Sequence, residues 1–479
     1  MRKRVVVLIS VLLLCIHVNS SEVKFKKNFS ASQHLFVSEQ HIIRAMELFD
    51  NSVSSFFIGD EMVMARYYNP NTGKPSDEKG SIWMYTSSVE ALNTILKSIK
   101  NQKDKGNTVF YYKHFDKYVQ LLQKLYNNAD YYLGTFTLTS YTQTAEWTVY
   151  GVHRGDVKGQ AKVEGIENVY DDQMWLIREL LKSYKLTNNT NFLEKAEYLT
   201  AYILDGWDCT RDENGIEIGG ITWGPGYVTK HACSNAPIIS SLVWLHEIYK
   251  DKDDIIQCRY IDAVDKKSRK EQKLKKSHYY LSFAEKIYNW QKHHLLRADG
   301  VYDDMMGGCA PRNPQTEIVD GVIYRQGIVC RDRVGPAISY NSGAMLSGAS
   351  ELHRVTGEKQ YYTDAVNLAD ASFSYFAKKG AELPGYYTYD ISGFGNWFNG
   401  VLLRGFIDLY PYYKNVGAYV DTFQQNLDYG YENYFYKGFL PTNLLMGWDN
   451  DISKNDTEGM FSFTFAAEYA LLSQYELLK

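Results

Sequence analysis

Two aspartates stand side by side in the stretch Asn168-Val169-Tyr170-Asp171-Asp172-Gln173-Met174-Trp175. Neighbouring carboxyls have an ordinary use in the first turn of a helix, where Asp caps free N–H groups and meets the positive end of the dipole. They also have a chemical use. Consecutive residues on a helix point about 100° apart, so two carboxyls can flank one bond. With one ionised and the other protonated, such a pair holds the parts for glycoside hydrolysis. In a retaining enzyme the nucleophile and the acid/base stand about 5–5.5 Å apart. The dipole favours an ionised Asp171, whose charge, together with apolar neighbours such as Trp175, would keep a proton on Asp172. Both uses require the same element, the first turn of a helix.

Other side chains suit the binding of a polar, ring-shaped ligand. Trp223, in Gly219-Gly220-Ile221-Thr222-Trp223, offers either a ring face to a sugar or a packing surface on the rim of the fold. Asn235 and Asn341 open helical segments, where Asn either caps the helix or hydrogen-bonds hydroxyls. Asp303 and Asp304 form a rival acidic pair. They lie in a Gly-flanked loop and not on a rigid helix start, so Asp304 is expected to orient substrate. Tyr340 and Trp397, at two further helix starts, are candidate platforms, as is Trp83, and core packing is the alternative. His153 is expected to be structural.

Helical periodicity runs through the whole chain. Tyr118, Val119, Leu122, Leu125, Tyr126 and Ala129 fall at i, i+3, i+4 spacing, and Ile177, Leu180, Leu181 and Tyr184 repeat the stripe. One set of segments begins near 81, 170, 235, 339, 396 and 458 and is apolar on most sides. A second set, beginning near 35, 109, 191, 277, 359 and 416, is amphipathic and rich in Lys and Glu. Helices without a wet face belong inside and helices with one belong outside. The alternation therefore predicts an all-α fold: an α/α toroid, a six-hairpin barrel of twelve helices in a single domain. An open solenoid of helical pairs is the alternative. The long connections, 136–169, 207–234 and 297–338, lead into inner-helix starts, so their residues should gather at one mouth.

Residues 1–20 have the form of an export signal: Arg2, Lys3 and Arg4, an apolar run from Val5 to Ile16, then small residues at Val18 and Ser20. This leaves 21–479 as the toroid and predicts an exported protein, periplasmic, cell-surface or secreted. Leu14 makes Cys15 a poor lipidation site. No second apolar run suggests a membrane span. Without residues 1–20 the chain carries 49 Lys and Arg against 56 Asp and Glu, a net of −7. That balance argues against nucleic acid as a partner, and the basic run Lys266 to Lys276 is interleaved with polar residues, as on a solvated face or loop insertion. Cysteines form no CxxC pair or Cys/His cluster, so no structural zinc is expected. Cys309 with Cys330 and Cys209 with Cys233 are candidate loop-closing pairs.

The order of motifs resembles glycoside hydrolase family 76, the endo-α-1,6-mannanases and related mannan-processing enzymes. Glu146-Trp147-Thr148-Val149-Tyr150 precedes Tyr170-Asp171-Asp172-Gln173-Met174-Trp175, which is similar to the family's catalytic stretch. Gly219-Gly220-Ile221-Thr222-Trp223 with Lys230 and Ser234-Asn235-Ala236-Pro237 is similar to its next motif. Tyr340-Asn341-Ser342-Gly343 and Trp397-Phe398-Asn399-Gly400 resemble later inner-helix starts. The resemblance runs from about residue 80 to the C-terminus. It implies a toroid that hydrolyses α-mannosidic bonds with retention, with Asp171 as nucleophile and Asp172 as general acid/base. Leu176 replaces a common second Trp, and the 251–276 insertion is long; both bear on substrate length and branching. The resulting expectation is a monomer acting on α-mannan with no metal and no cofactor. A glycan-binding protein and a transglycosidase of the same fold are the alternatives. Another toroid enzyme, such as an unsaturated uronyl hydrolase or a sugar epimerase, is disfavoured, because no basic cluster for uronate carboxylates is evident and the ordered motifs point elsewhere.

Overall fold

The computed structural model describes residues 30–479, so the stretch read as an export signal and Cys15 lie outside the described residues. Twelve α-helices follow in order. The outer set is α1 (Ala31–Phe56), α3 (Thr108–Ala129), α5 (Thr190–Asp205), α7 (Lys276–Leu295), α9 (Lys359–Phe376) and α11 (Gly417–Tyr434). The inner set is α2 (Ile82–Asp104), α4 (Tyr170–Thr187), α6 (Pro237–Tyr249), α8 (Ser339–Thr356), α10 (Gly395–Leu409) and α12 (Gly459–Glu476). Each inner helix packs on the next, and α12 returns to α2, so the ring closes. The toroid, and not the open solenoid, is the observed fold.

Closure follows from the residue types. Helix α12 is buried at nearly every position, from Gly459 through Phe461, Phe463 and Tyr469 to Tyr475. In α3 the predicted stripe is buried at Tyr118, Leu122, Leu125, Tyr126 and Ala129, while Tyr112 on the other face is exposed. Burying one such aliphatic or aromatic side chain contributes about 1.5–3 kcal/mol. Local signals set the ends. Ser30 and Gln33 form a reciprocal capping box at the start of α1. Two-residue connections join α4 to α5 and α8 to α9, where Asn188 and Gly357 take left-handed φ values of 57° and 72°.

Seven small sheets of two or three strands decorate the helical frame. The stretches expected as loops all hold some β-structure, including two hairpins of seven-residue strands. The connection before α4 contains a hairpin of Leu133–Thr139 and Thr144–Tyr150, whose alternating burial seats Trp147 against Tyr202 of α5. The 251–276 insertion is a second hairpin, Ile255–Ile261 with Arg269–Lys275, and most of the basic run lies on its exposed second strand. The first alternates as a strand should, through Thr135-Phe136-Thr137-Leu138-Thr139, amid longer helical stripes, whereas the second is too polar to stand out. Cys309 and Cys330 form a disulfide. Cys209 and Cys233, the other candidate pair, are separate buried thiols, a correction explained below for Cys233. Among the described residues no helix is long and apolar enough to cross a membrane.

Helices α8 and α10 touch backbone to backbone. A Cβ added at Gly343 would stand 2.5 Å from the Val401 carbonyl oxygen, and one at Gly405 would stand 2.7 Å from the Gly343 oxygen. Because backbone cannot rotate aside, Gly343→Ala should destabilise the ring by about 1–3 kcal/mol, read as a lower urea midpoint at unchanged slope. An unchanged midpoint would show that the two helices separate freely.

Candidate active site

The first turns of α2, α4, α8 and α10 line one cleft of about 480 Å³, together with Trp223, Tyr227, His231, Cys233 and Asp304 from the long connections. The start of α4 is held on three sides. Its N-cap is Val169, which supplies no side-chain cap. The N–H of Tyr170 instead donates to the Trp223 carbonyl at 2.8 Å. Gln173 pairs with Tyr150 in both directions, accepting from its N–H at 3.1 Å and donating to its carbonyl at 2.6 Å. Asn168 donates to the Tyr202 hydroxyl at 2.7 Å. These contacts explain why Asn168 and Gln173 flank the acidic pair.

Both Asp171 and Asp172 line the cleft, in unlike surroundings. Burial pushes the Asp171 carboxyl up to about 6, against the pull of the Cys233 thiol, the N–H groups of the first turn and the Trp223 indole. The indole Nε1 donates to Asp171 Oδ1 at 3.1 Å. Asp172 is 5% exposed. Burial and the adjacent Asp171 charge hold it well above the usual carboxylate range, and among the described residues no donor offsets them. Donors on one side only make Asp171 the group that ionises first and Asp172 the group that keeps the proton.

Asp304 is a third carboxyl on the cleft wall, raised by burial and by Asp303 and lowered by the neighbouring Asn341 amide. Asp303 turns away to Arg297 at 3.4 Å, so the rival pair is split between cleft and rim. Aromatic rings make the opposite wall. Trp397 meets Trp83 and Trp175 edge-on at centroid distances of 5.1 and 4.9 Å, and Tyr340 stacks on Phe398 at 4.6 Å. Their faces are partly spent on one another, which combines the platform and core roles.

Two expected binding residues do not reach the cleft. Asn235 is fully buried; its amide donates to the Ile221 and His231 carbonyls at 3.0 and 2.8 Å and accepts from the Ile221 N–H at 2.9 Å. It therefore shapes the loop that carries Trp223 and has no proton left for a sugar. Asn341 is 1% exposed and acts on the cleft through Asp304. Conversely, His153 stands on the cleft wall. His231 and Cys233 were not singled out as site residues from the sequence. His231 stacks on Trp223 at 4.9 Å and is kept neutral by burial, which lowers it to about 4. Cys233 faces Asp171 and is a free thiol, not bonded to Cys209. Their place between Lys230 and Asn235 was the available signal, obscured by treating Cys233 as a bridge partner.

Lys230 is a staple. Its ammonium, 1% exposed, donates to Asp208 Oδ2 at 2.9 Å and to the Gly219 carbonyl at 2.6 Å. Gly219 and Gly220 have φ of +72° and +76° and pass against the Trp290 ring, which a Cβ at either position would strike at 2.7 or 2.4 Å.

Residues 272–393 match the family model described as glycosyl hydrolase family 76, a segment that holds Asp304, Tyr340 and Asn341 but not the Asp171–Asp172 pair. No curated protein sequence matches the chain. Among solved structures, the chain is similar to a glycoside hydrolase family 76 (mannosidase) from Bacteroides thetaiotaomicron at 18% identity and a TM-score of 0.65, covering 91% of this chain and 98% of the other. An inactive α-1,6-mannanase of Salegentibacter sp., with two consecutive aspartates replaced by asparagine and α-1,6-mannotriose bound, matches at 18% identity and a TM-score of 0.58, covering 91% and 99%. A D-mannose isomerase shares the fold at 11% identity and a TM-score of 0.54, covering 94% and 100%. At these identities the structures speak for the fold alone.

Two substitutions test the site's construction. Trp223→Phe removes the indole donor and should move the Asp171 titration upward by roughly one pH unit, measured by carboxyl-carbon NMR; an unmoved titration would mean that the indole does not hold the charge. Lys230→Met leaves Asp208 buried and unpaired, and should cost about 3–5 kcal/mol in chemical denaturation. A loss below about 1 kcal/mol, the size of an exposed pair, would refute the staple. The resemblance to glycoside hydrolase family 76 is thus borne out by the family model over residues 272–393, and the toroid by solved structures over nine-tenths of the chain.

Proposed function

We propose that this protein is a retaining, endo-acting glycoside hydrolase that cleaves the α-1,6-mannosidic bonds of mannan. The observation that carries the proposal is the unequal acidic pair, one carboxyl furnished with donors and one without, inside a single cleft walled by aromatic rings. In the first step the ionised Asp171 attacks the anomeric carbon. The glycosidic C–O bond breaks as Asp172 gives its proton to the leaving oxygen. In the second step Asp172, now a carboxylate, takes a proton from water, whose oxygen displaces Asp171 from the anomeric carbon. Asp304, Trp223, Tyr340 and Trp397 orient the sugars. The choice of substrate is supported by the structural neighbour that carries α-1,6-mannotriose and is inactive with two consecutive aspartates replaced. Export, supported by the Cys309–Cys330 disulfide, and action as a monomer belong to the same reading.

Linear α-1,6-mannan incubated with the protein should yield a ladder of oligosaccharides whose new reducing ends retain the α-configuration. Inverted ends, or intact mannan, would overturn the assignment. Asp171→Asn and Asp172→Asn should each lower kcat by roughly 10²–10⁴-fold with little change in melting temperature. Activity should rise as pH passes upward through about 6, where Asp171 loses its proton, and fall again once Asp172 loses its own at higher pH. A flat profile between pH 5 and about 8 would contradict the division of roles.

A further inference from the structure

A second cavity, of about 220 Å³, opens among the middle and C-terminal turns of the inner helices, away from the first turns that form the cleft. Six cationic side chains line it: Lys97 and Lys100 of α2, Arg178, Lys182 and Lys185 of α4, and Arg404 of α10. They are scattered over more than three hundred residues of sequence, and only the closed ring brings them together.

The floor is internally paired. Glu179 accepts from Arg178 at 3.0 Å and from Lys182 at 2.9 Å, and Glu90 pairs with Arg404. Asp408, the acidic residue on the wall, takes the Ser347 hydroxyl at 2.7 Å. Three carboxylates thus face six cations. Lys97, Lys100 and Lys185 have no carboxylate at ion-pair distance among the described residues, and Lys185 rests 4.3 Å from the Trp244 ring centroid on the cavity wall. Like charges so gathered repel one another. The floor needs its cations to neutralise Glu90 and Glu179; above it, Lys185 feels Glu351 and Glu247, and Lys97 feels Asp104, only from beyond ion-pair distance, so no carboxylate holds these lysines directly. The volume lies below the range of about 300–1,000 Å³ usual for drug-sized ligands, so the complementary ligand is small and multiply negative.

We propose that this cavity binds a phosphate group, free or carried on a single sugar, with Lys97, Lys100 and Lys185 as its recognition residues. An ammonium is a compact, strongly hydrated charge with three rotatable donors, and three of them around one opening fit the oxygens of a phosphate. A phosphorylated sugar would set its ring against Trp244.

Isothermal titration of the whole protein with inorganic phosphate, with a hexose phosphate and with the unphosphorylated hexose tests this. One site per chain for a phosphate compound, and none for the bare hexose, is the expected result. Tighter binding of the hexose phosphate assigns the sugar-borne group; equal binding assigns free phosphate. The variant Lys97→Gln/Lys100→Gln/Lys185→Gln should bind at least about tenfold more weakly. An equally discharged variant of exposed lysines elsewhere, Lys113→Gln/Lys267→Gln/Lys273→Gln, should bind as the parent does. No saturable binding overturns the proposal, as does equal weakening in both variants. A lowered melting temperature of the first variant with unchanged phosphate affinity would also overturn it, since the lysines would then serve only to offset the negative ends of the helices.

Discussion

Six helices share one core only if none of them needs water on any side. The inner helices of this ring meet that condition over most of their length, and some polar side chains within it pair with one another, as Asn93 does with the Glu179 carboxylate at 2.9 Å and its carbonyl at 3.0 Å. The consequence is spatial. Chemistry that depends on charge and water is excluded from the barrel wall and gathers where helices end. Because the inner helices run the same way, the two mouths differ in sign. Free N–H groups and positive dipole ends meet at one, and carbonyls and negative ends at the other. The acidic pair stands at the first and the cationic cavity near the second, each where the backbone offers opposite charge.

The acidic pair shows how two identical side chains become different groups without any exchange of residue type. Both are buried and both are pushed upward, so burial does not separate them. Donors do. The Trp223 indole and the Cys233 thiol come from one connection, residues 207–234, and both aim at Asp171. That connection is held in turn by Lys230, Asn235 and two glycines against Trp290. Acidity at the site is thus determined by a loop whose own shape depends on a buried ion pair.

Helix number, order and the inner–outer alternation were legible in the sequence, because burial on all sides and burial on one side leave different periodicities. The predicted inner starts at 170, 235, 339, 396 and 458 fall within two residues of Tyr170, Pro237, Ser339, Gly395 and Gly459. The position of Asp171 and Asp172 on a helix start was legible for the same reason. What Asn235 does was not: a cap, a sugar ligand and a loop brace use the same amide, and only the carbonyls of Ile221 and His231 decide among them. Cys233 was misassigned because two cysteines flanking a Gly-rich loop look like a pair until the thiol's neighbour is known. The cationic cavity was invisible for a deeper reason. Its residues come from α2, α4 and α10, and no local window contains more than three of them.

Trp223 does two things with one residue: its carbonyl takes the first N–H of α4, and its indole takes a lone pair of Asp171. Shape and proton affinity at this mouth are therefore not separable quantities. Any exchange at this position that reshapes the groove also retunes the Asp171 carboxyl. Substrate range and pH optimum should drift together among natural or engineered versions of this scaffold, and a version that broadens one while preserving the other must supply a new donor from elsewhere.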